Sequence, residues 1–176
     1  TPGGPDSMNL ISPEFESAKL AQSMMSCVAP DMFDAREAFW IQHGIRIIDM
    51  MISYHRLVMP SEDVTADVLR RQFPDFAPDL TGACPVVSSR LTAPLKKLRA
   101  ELELRPDEDP EKARLLYEID DLRREMNRWI MLDERPRTSI EAEVERVLYT
   151  FKPWKIMQTL CAPSNRATFT GFREIT

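Results

Sequence analysis

Side chains able to ligate a metal, attack a carbonyl or carry a proton are few or scattered in this chain: 2 histidines, 3 cysteines and 28 aspartates and glutamates among 176 residues. His43 and His55 stand 12 positions apart rather than one helical turn apart, as a pair of metal ligands would require, so both are expected to be structural. Cys27, Cys84 and Cys161 are odd in number and widely separated, which argues against a disulfide framework or a paired-cysteine metal site. They are expected to be reduced thiols in a cytoplasmic setting, serving as small buried apolar side chains. The sequence holds no GxxxxGK(S/T) phosphate loop, no GxSxG elbow, and no HExxH or CxxC pair. The common routes to nucleotide hydrolysis, acyl transfer and zinc chemistry therefore lack their parts. The carboxylates fall on the outer faces of amphipathic segments beside Lys and Arg, where nothing desolvates them. No catalytic, cofactor or metal residue is nominated, and a binding role is the expectation.

The elements that would position a binding surface are helices. One domain is expected for a chain of 176 residues, and 43% hydrophobic residues can furnish its core. Only 5 glycines occur, and the periodic segments are long, so the fold class predicted is all-α: a single-domain bundle of about six or seven helices. No stretch approaches the roughly 18 apolar residues of a membrane span, and no signal-peptide pattern is present, so the chain is expected to be soluble. Thr1 to Ser7 reads as a cloning remnant ahead of Met8. A net charge of −5 weighs against a free-standing nucleic-acid binder, because phosphate contacts need a basic face.

Six helical segments can be read along the chain. Met8 to Ile11 looks extended, and a helix over about 13–29 follows, with Ser12 as cap and Pro13 in its first position. Asp34 and Glu37 form a capping box for a long second helix. There Ile41, Ile45, Ile48 and Ile52 recur at steps of four and three, Trp40, Ile47, Met51 and Tyr54 widen the apolar arc, and Gln42, Arg46, Asp49, Ser53 and Arg56 make one narrow polar stripe. Such a helix belongs at the centre, and Gly44 within it predicts close approach of another helix. A short helix over about 65–73 leads into a proline-broken loop, residues 74–85, with at most one helical turn. Leu91, Leu95, Leu98 and Leu102, then Leu115, Ile119, Leu122, Met126 and Trp129, predict an antiparallel hairpin whose second helix has Asp109 as cap and Pro110 first. The hairpin's first helix begins near Ser89 or Thr92, Pro94 being tolerable only in an opening turn. Thr138 with Glu141 predicts a further capping box before a helix carrying Ile140, Val144, Val147, Leu148 and Phe151. A turn or two over 154–160 and an extended end from Ala167 complete the reading.

The order MNLISPEFESAKLAQSMMSCVAP, DAREAFWIQHGIRIIDMMISYH and SEDVTADVLRR, with VERVLYTFKPWKIMQTLCAPSNRATFTGFREI at the far end, resembles the all-α domain of type IV coupling proteins. These are the hexameric, membrane-anchored, RecA-like ATPases of conjugation and type IV secretion systems. The resemblance implies that residues 8–176 are a domain excised from a larger ATPase, which would explain extended scraps at both ends. It implies ATP and magnesium for the parent protein and none here, since the nucleotide motifs lie outside this domain. It further implies a place at the cytoplasmic face of the bacterial inner membrane and recognition of cargo, either secreted effector proteins or relaxase–DNA complexes, by a fragment that is itself monomeric.

The acidic balance favours protein cargo. Two loops are candidates for the contact: the acidic turn Asp107, Glu108, Asp109 and Glu111, and the apolar loop of Phe73, Phe76 and Leu80. Two alternatives differ in class. One is a DNA-contacting module using Arg70, Arg71, Lys96, Lys97, Arg99, Arg123 and Arg124. The other is a stand-alone helical adaptor whose end segments pack on its own helices.

Overall fold

A computed structural model of the chain describes residues 11, 15–28 and 38–152. Within them lie six α-helices: α1 (Ser17–Val28), α2 (Ala38–Val58), α3 (Ala66–Gln72), α4 (Ser89–Glu103), α5 (Pro110–Ile130) and α6 (Glu134–Thr150). A 3-10 turn over Phe73–Phe76 and a lone antiparallel bridge between Asp79 and Val86 punctuate the α3–α4 connection. The protein is an all-α single domain, as the long 3.6-residue periodicities predict. Residues 1–10, 12–14, 29–37 and 153–176, which include the extended ends, Ser12, Pro13, the Asp34–Glu37 box and the 154–160 turn, lie outside the described residues.

Helix α2 is the axis of the bundle and touches each of the other five. Ile41, Ile47, Ile48, Met51, Ile52 and Tyr54 are all buried, each contributing about 1.5–3 kcal/mol by leaving water. Gly44 is where neighbours come nearest. A β-carbon there would lie 2.8 Å from Met25 Cε on α1 and 3.7 Å from Val144 Cγ2 on α6. The missing side chain therefore lets α1 and α6 close on α2, which offsets the cost of glycine within a helix.

The α4–α5 pair is the antiparallel hairpin expected. Leu91, Leu95 and Leu102 of α4 and Ile119, Leu122, Met126 and Trp129 of α5 are buried, and Arg99 Nη1 donates to Asp120 Oδ1 across the pair at 2.5 Å. Asp109 caps α5 by accepting from the Glu111 N–H at 3.0 Å, with Pro110 in the first position.

Two helix starts differ from expectation, each for a local reason. Helix α1 begins at Ser17 rather than Pro13, with Phe15 and Glu16 outside it; the Phe15 carbonyl accepts from Arg56 Nη1 at 2.9 Å instead of from a following turn. Helix α6 begins four residues before Thr138, with Pro136 inside its first turn, where a missing N–H costs nothing. The Thr138–Glu141 box does not form: the Thr138 hydroxyl donates to the Glu134 carbonyl at 2.8 Å, and Glu141 lies 3.7 Å from Arg137.

Helix α4 starts at Ser89, which puts Pro94 beyond the opening turn. The proline withholds the N–H that the Arg90 carbonyl would receive. The Tyr54 hydroxyl reaches that position from α2, lying 3.5 Å from the Arg90 carbonyl and 3.3 Å from that of Leu91. Burial, with Asp75 nearby, pushes the Tyr54 hydroxyl up to a pKa of about 12, so it stays a donor.

Candidate binding cleft

The polar stripe of α2 has a structural counterpart. Gln42 and Arg46 are exposed and Asp49, Ser53 and Arg56 half-buried, on a flank of the helix that the other described helices leave open. There the first turn of α1, the length of α2 and the outer side of α5 bound a cleft of about 730 Å³. A volume of that size is typical of ligand sites. Its apolar lining comes from Met50 and Leu57 of α2, Leu98 of α4, and Leu115 and Leu122 of α5, and Tyr117 is 66% exposed at its edge.

The polar lining is partly knitted together. The Ser17 and Ser53 hydroxyls are 3.1 Å apart and share a hydrogen bond between α1 and α2, and the Ser53 hydroxyl stands 3.5 Å from Asp49 Oδ1. Arg114 donates to Glu118 at 2.7 Å and to Glu111, drawing three charges of α5 into one cluster. Burial pushes the Arg56 guanidinium below its ordinary pKa, with Asp49 opposing. Six carboxylates (Glu16, Asp49, Glu111, Glu118, Asp121, Glu125) face four guanidiniums (Arg46, Arg56, Arg105, Arg114), so the lining carries two negative charges in excess.

The acidic turn is less available than its composition suggests. Lys112 donates to Asp107 at 2.6 Å, Arg105 lies 3.5 Å from Asp109, and Arg114 holds Glu111. Hydrogen bonding by Lys112 and its charge keep the Asp107 carboxyl below the usual carboxylate range. Glu108 has no ion pair among the described residues.

The apolar loop divides. Phe73 and Phe76 are buried, Phe76 packing edge-on against Tyr54 with ring centres 5.9 Å apart and accepting at its carbonyl from Trp129 Nε1 at 2.9 Å. Both aromatic rings serve the core and cannot anchor a partner, whereas Leu80 is 65% exposed.

The basic residues of the DNA-contacting alternative are mostly matched by neighbours on their own helices or across the hairpin. Arg70 and Arg71 both pair with Asp67, Lys97 with Glu101, Arg99 with Glu103 and Asp120, and Arg124 with Asp121. Lys96 and Arg123 have no ion pair among the described residues.

Cys84 is exposed, which corrects its expected burial; it sits in the irregular α3–α4 connection rather than on an apolar helix face. His55 is buried, its ring nitrogens bonded to nothing among the described residues, and burial pushes its pKa down. His43 packs on Phe39 with ring centres 4.3 Å apart. Among the described residues no three His, Cys, Asp or Glu side chains converge as a metal site would need, and no helix is long and apolar enough to cross a membrane.

Sequence reasoning found the stripe on α2 but not the cleft above it. Whether a polar flank faces open solvent or the floor of a groove depends on where α5 crosses α2, and no periodicity encodes that. Set against known protein families, curated proteins and solved structures, the chain matches none.

Proposed function

We propose that this chain is a recognition domain of the type IV coupling-protein kind, which binds rather than transforms its ligand. It captures secreted effector proteins, or the relaxase complex, at the cytoplasmic face of a bacterial inner membrane. In this reading ATP and magnesium belong to the ATPase portion of a larger membrane-anchored hexamer. Support comes from the order of sequence segments that resembles that family, and the fold is all-α as that resemblance implies. The observation that carries a binding role is the cleft along α2, whose lining combines apolar side chains with charges of both signs.

A pull-down from a bacterial lysate with the purified chain as bait tests the reading. Enrichment of secreted substrates or relaxase components is the expected result. Turnover of nucleotide, peptide or ester by the pure chain, or recovery of neither cargo class, would overturn it.

One observation favours a second reading, the stand-alone adaptor. Ile11 is 1% exposed and belongs to the core, as a residue of an integral end segment would. Limited proteolysis separates the two: orphaned ends are trimmed within the earliest time points, whereas integral ends survive as long as the helices do.

A further inference from the structure

We propose that His55 is a proton-operated latch: charging its buried, unpartnered ring releases the connection from α2 to α3 and bares the apolar residues beneath it. His55 lies in the last turn of α2, about three turns after Gly44 at about 3.6 residues per turn, which returns it to the flank on which α1 and α6 close. The ring is 1% exposed, and neither nitrogen has a hydrogen-bond partner. A neutral imidazole can be held this way. An imidazolium, with two donors and no acceptor in reach, cannot stay there without severe loss.

The connection that would be released hangs directly on this residue. The His55 carbonyl accepts from the Met59 N–H at 2.8 Å, and the Met59 carbonyl accepts from the Glu62 N–H at 3.0 Å. Beyond them Val64, Thr65 and Ala66 are buried, and the Thr65 hydroxyl starts α3 by accepting from the Val68 N–H at 3.3 Å. Residues 59–65 thus form a short strap, with Glu62 and Asp63 exposed and Val64 tucked into the core.

Charge gives the movement a direction. Burial holds the ring neutral, and Glu62 opposes it, being the described group whose charge acts on the ring. The other charges on the surrounding elements are turned elsewhere. Arg56 donates to the Phe15 carbonyl at 2.9 Å, Asp67 of α3 closes on Arg70 and Arg71, Glu16 of the α1 entry closes on Lys19, and Glu143 of α6 closes on Arg146. A charged ring therefore moves outward, toward water and Glu62, and the strap lifts with it. Lifting uncovers Val64, Ala66 and Leu69, so acid turns a sealed edge of the bundle into an apolar one. The latch does not depend on what the α2 cleft binds.

Amide hydrogen exchange of the whole chain, read by mass spectrometry and corrected for intrinsic rates, tests the latch between about pH 7.5 and about pH 5.5. The closed state binds the proton less readily than the open one, so opening gains as pH falls through 6.5, by at most about tenfold per pH unit. Protection over residues 59–69 should fall by about threefold to tenfold while that of 115–126 in α5 holds. His55→Leu should keep protection level across the range, and Glu62→Gln should move the fall to lower pH. A proton NMR titration, assigned against His43→Gln, should show the His55 ring titrating below 6.5.

An unchanged fall in His55→Leu, or an equal loss of protection throughout α5, would overturn the latch. So would a His55 ring that titrates at or above 6.5, a result that requires no His55 variant to fold.

Discussion

The two flanks of α2 are built from one helix and meet opposite fates. On one side, Gly44 lets Met25 and Val144 press in until no β-carbon could be added without displacing a neighbour. On the other, Arg46, Asp49, Ser53 and Arg56 look into a cleft of about 730 Å³. The contrast teaches that the openness of the second flank is specified rather than accidental. Charged and hydroxyl side chains placed every third or fourth residue forbid a neighbour from sealing it, because sealing would strip their water without supplying partners. The closed flank carries stability, and the open flank is the side proposed above to bind a ligand.

Breaking the closed flank should produce the largest effect. Ile48, fully buried, truncated to Ala should cost about 2–5 kcal/mol of unfolding free energy in a urea titration. Overfilling the same flank with Gly44→Leu should cost about 1–3 kcal/mol, whereas Gly44→Ala should stay within about 1 kcal/mol of wild type. That leniency arises because the crowding atom is the mobile end of Met25. Tyr54→Phe removes the hydroxyl from the Arg90 and Leu91 carbonyls and should lower stability by about 1 kcal/mol.

A pH series sharpens the comparison further. Burial lowers the folded-state pKa of His55 below the 6.5 of an unfolded chain, with Glu62 opposing, so the unfolded state binds the proton more readily. Stability contributed by the neutral ring is present above 6.5 and is lost as pH falls below it; His43, also lowered by burial, acts in the same direction. The urea midpoint should drop between about pH 7.5 and about pH 5.5, and drop less in His55→Leu. The smallest effect belongs to the open flank, where Tyr117→Ala should shift stability by no more than about 0.5 kcal/mol.

The closed flank was legible because repeated apolar spacing and an unexplained helical glycine are both local signals. The hairpin was legible for the same reason, down to Asp109 and Pro110 at the start of α5. Where two local signals competed, the sequence misled. Thr138 and Glu141 have the right spacing for a cap, yet Asp133 upstream stands ahead of a proline that fits inside a first turn, and the longer helix forms. Phe73 and Phe76 sit among prolines and read as a surface loop, but the 3-10 turn rotates both rings inward, a tertiary choice made by Tyr54 and Trp129. The cleft was the least legible part, since it is a relation between α1, α2 and α5 rather than a property of any one of them.

Pro94 and Tyr54 give the hairpin a consequence for motion. Both carbonyls that the Tyr54 hydroxyl approaches lie at the start of α4, and the indole of Trp129, near the end of α5, is tied to the same 3-10 turn that packs on Tyr54. The arm is thus bolted at its base, while Leu104 at the opposite end is 88% exposed. An arm tied at its base and exposed beyond Leu102 has its greatest freedom at the tip. Widening of the cleft on engagement should therefore be greatest near residues 104–109 and smallest at Arg90, an ordering that spin-label distances along α4 would register.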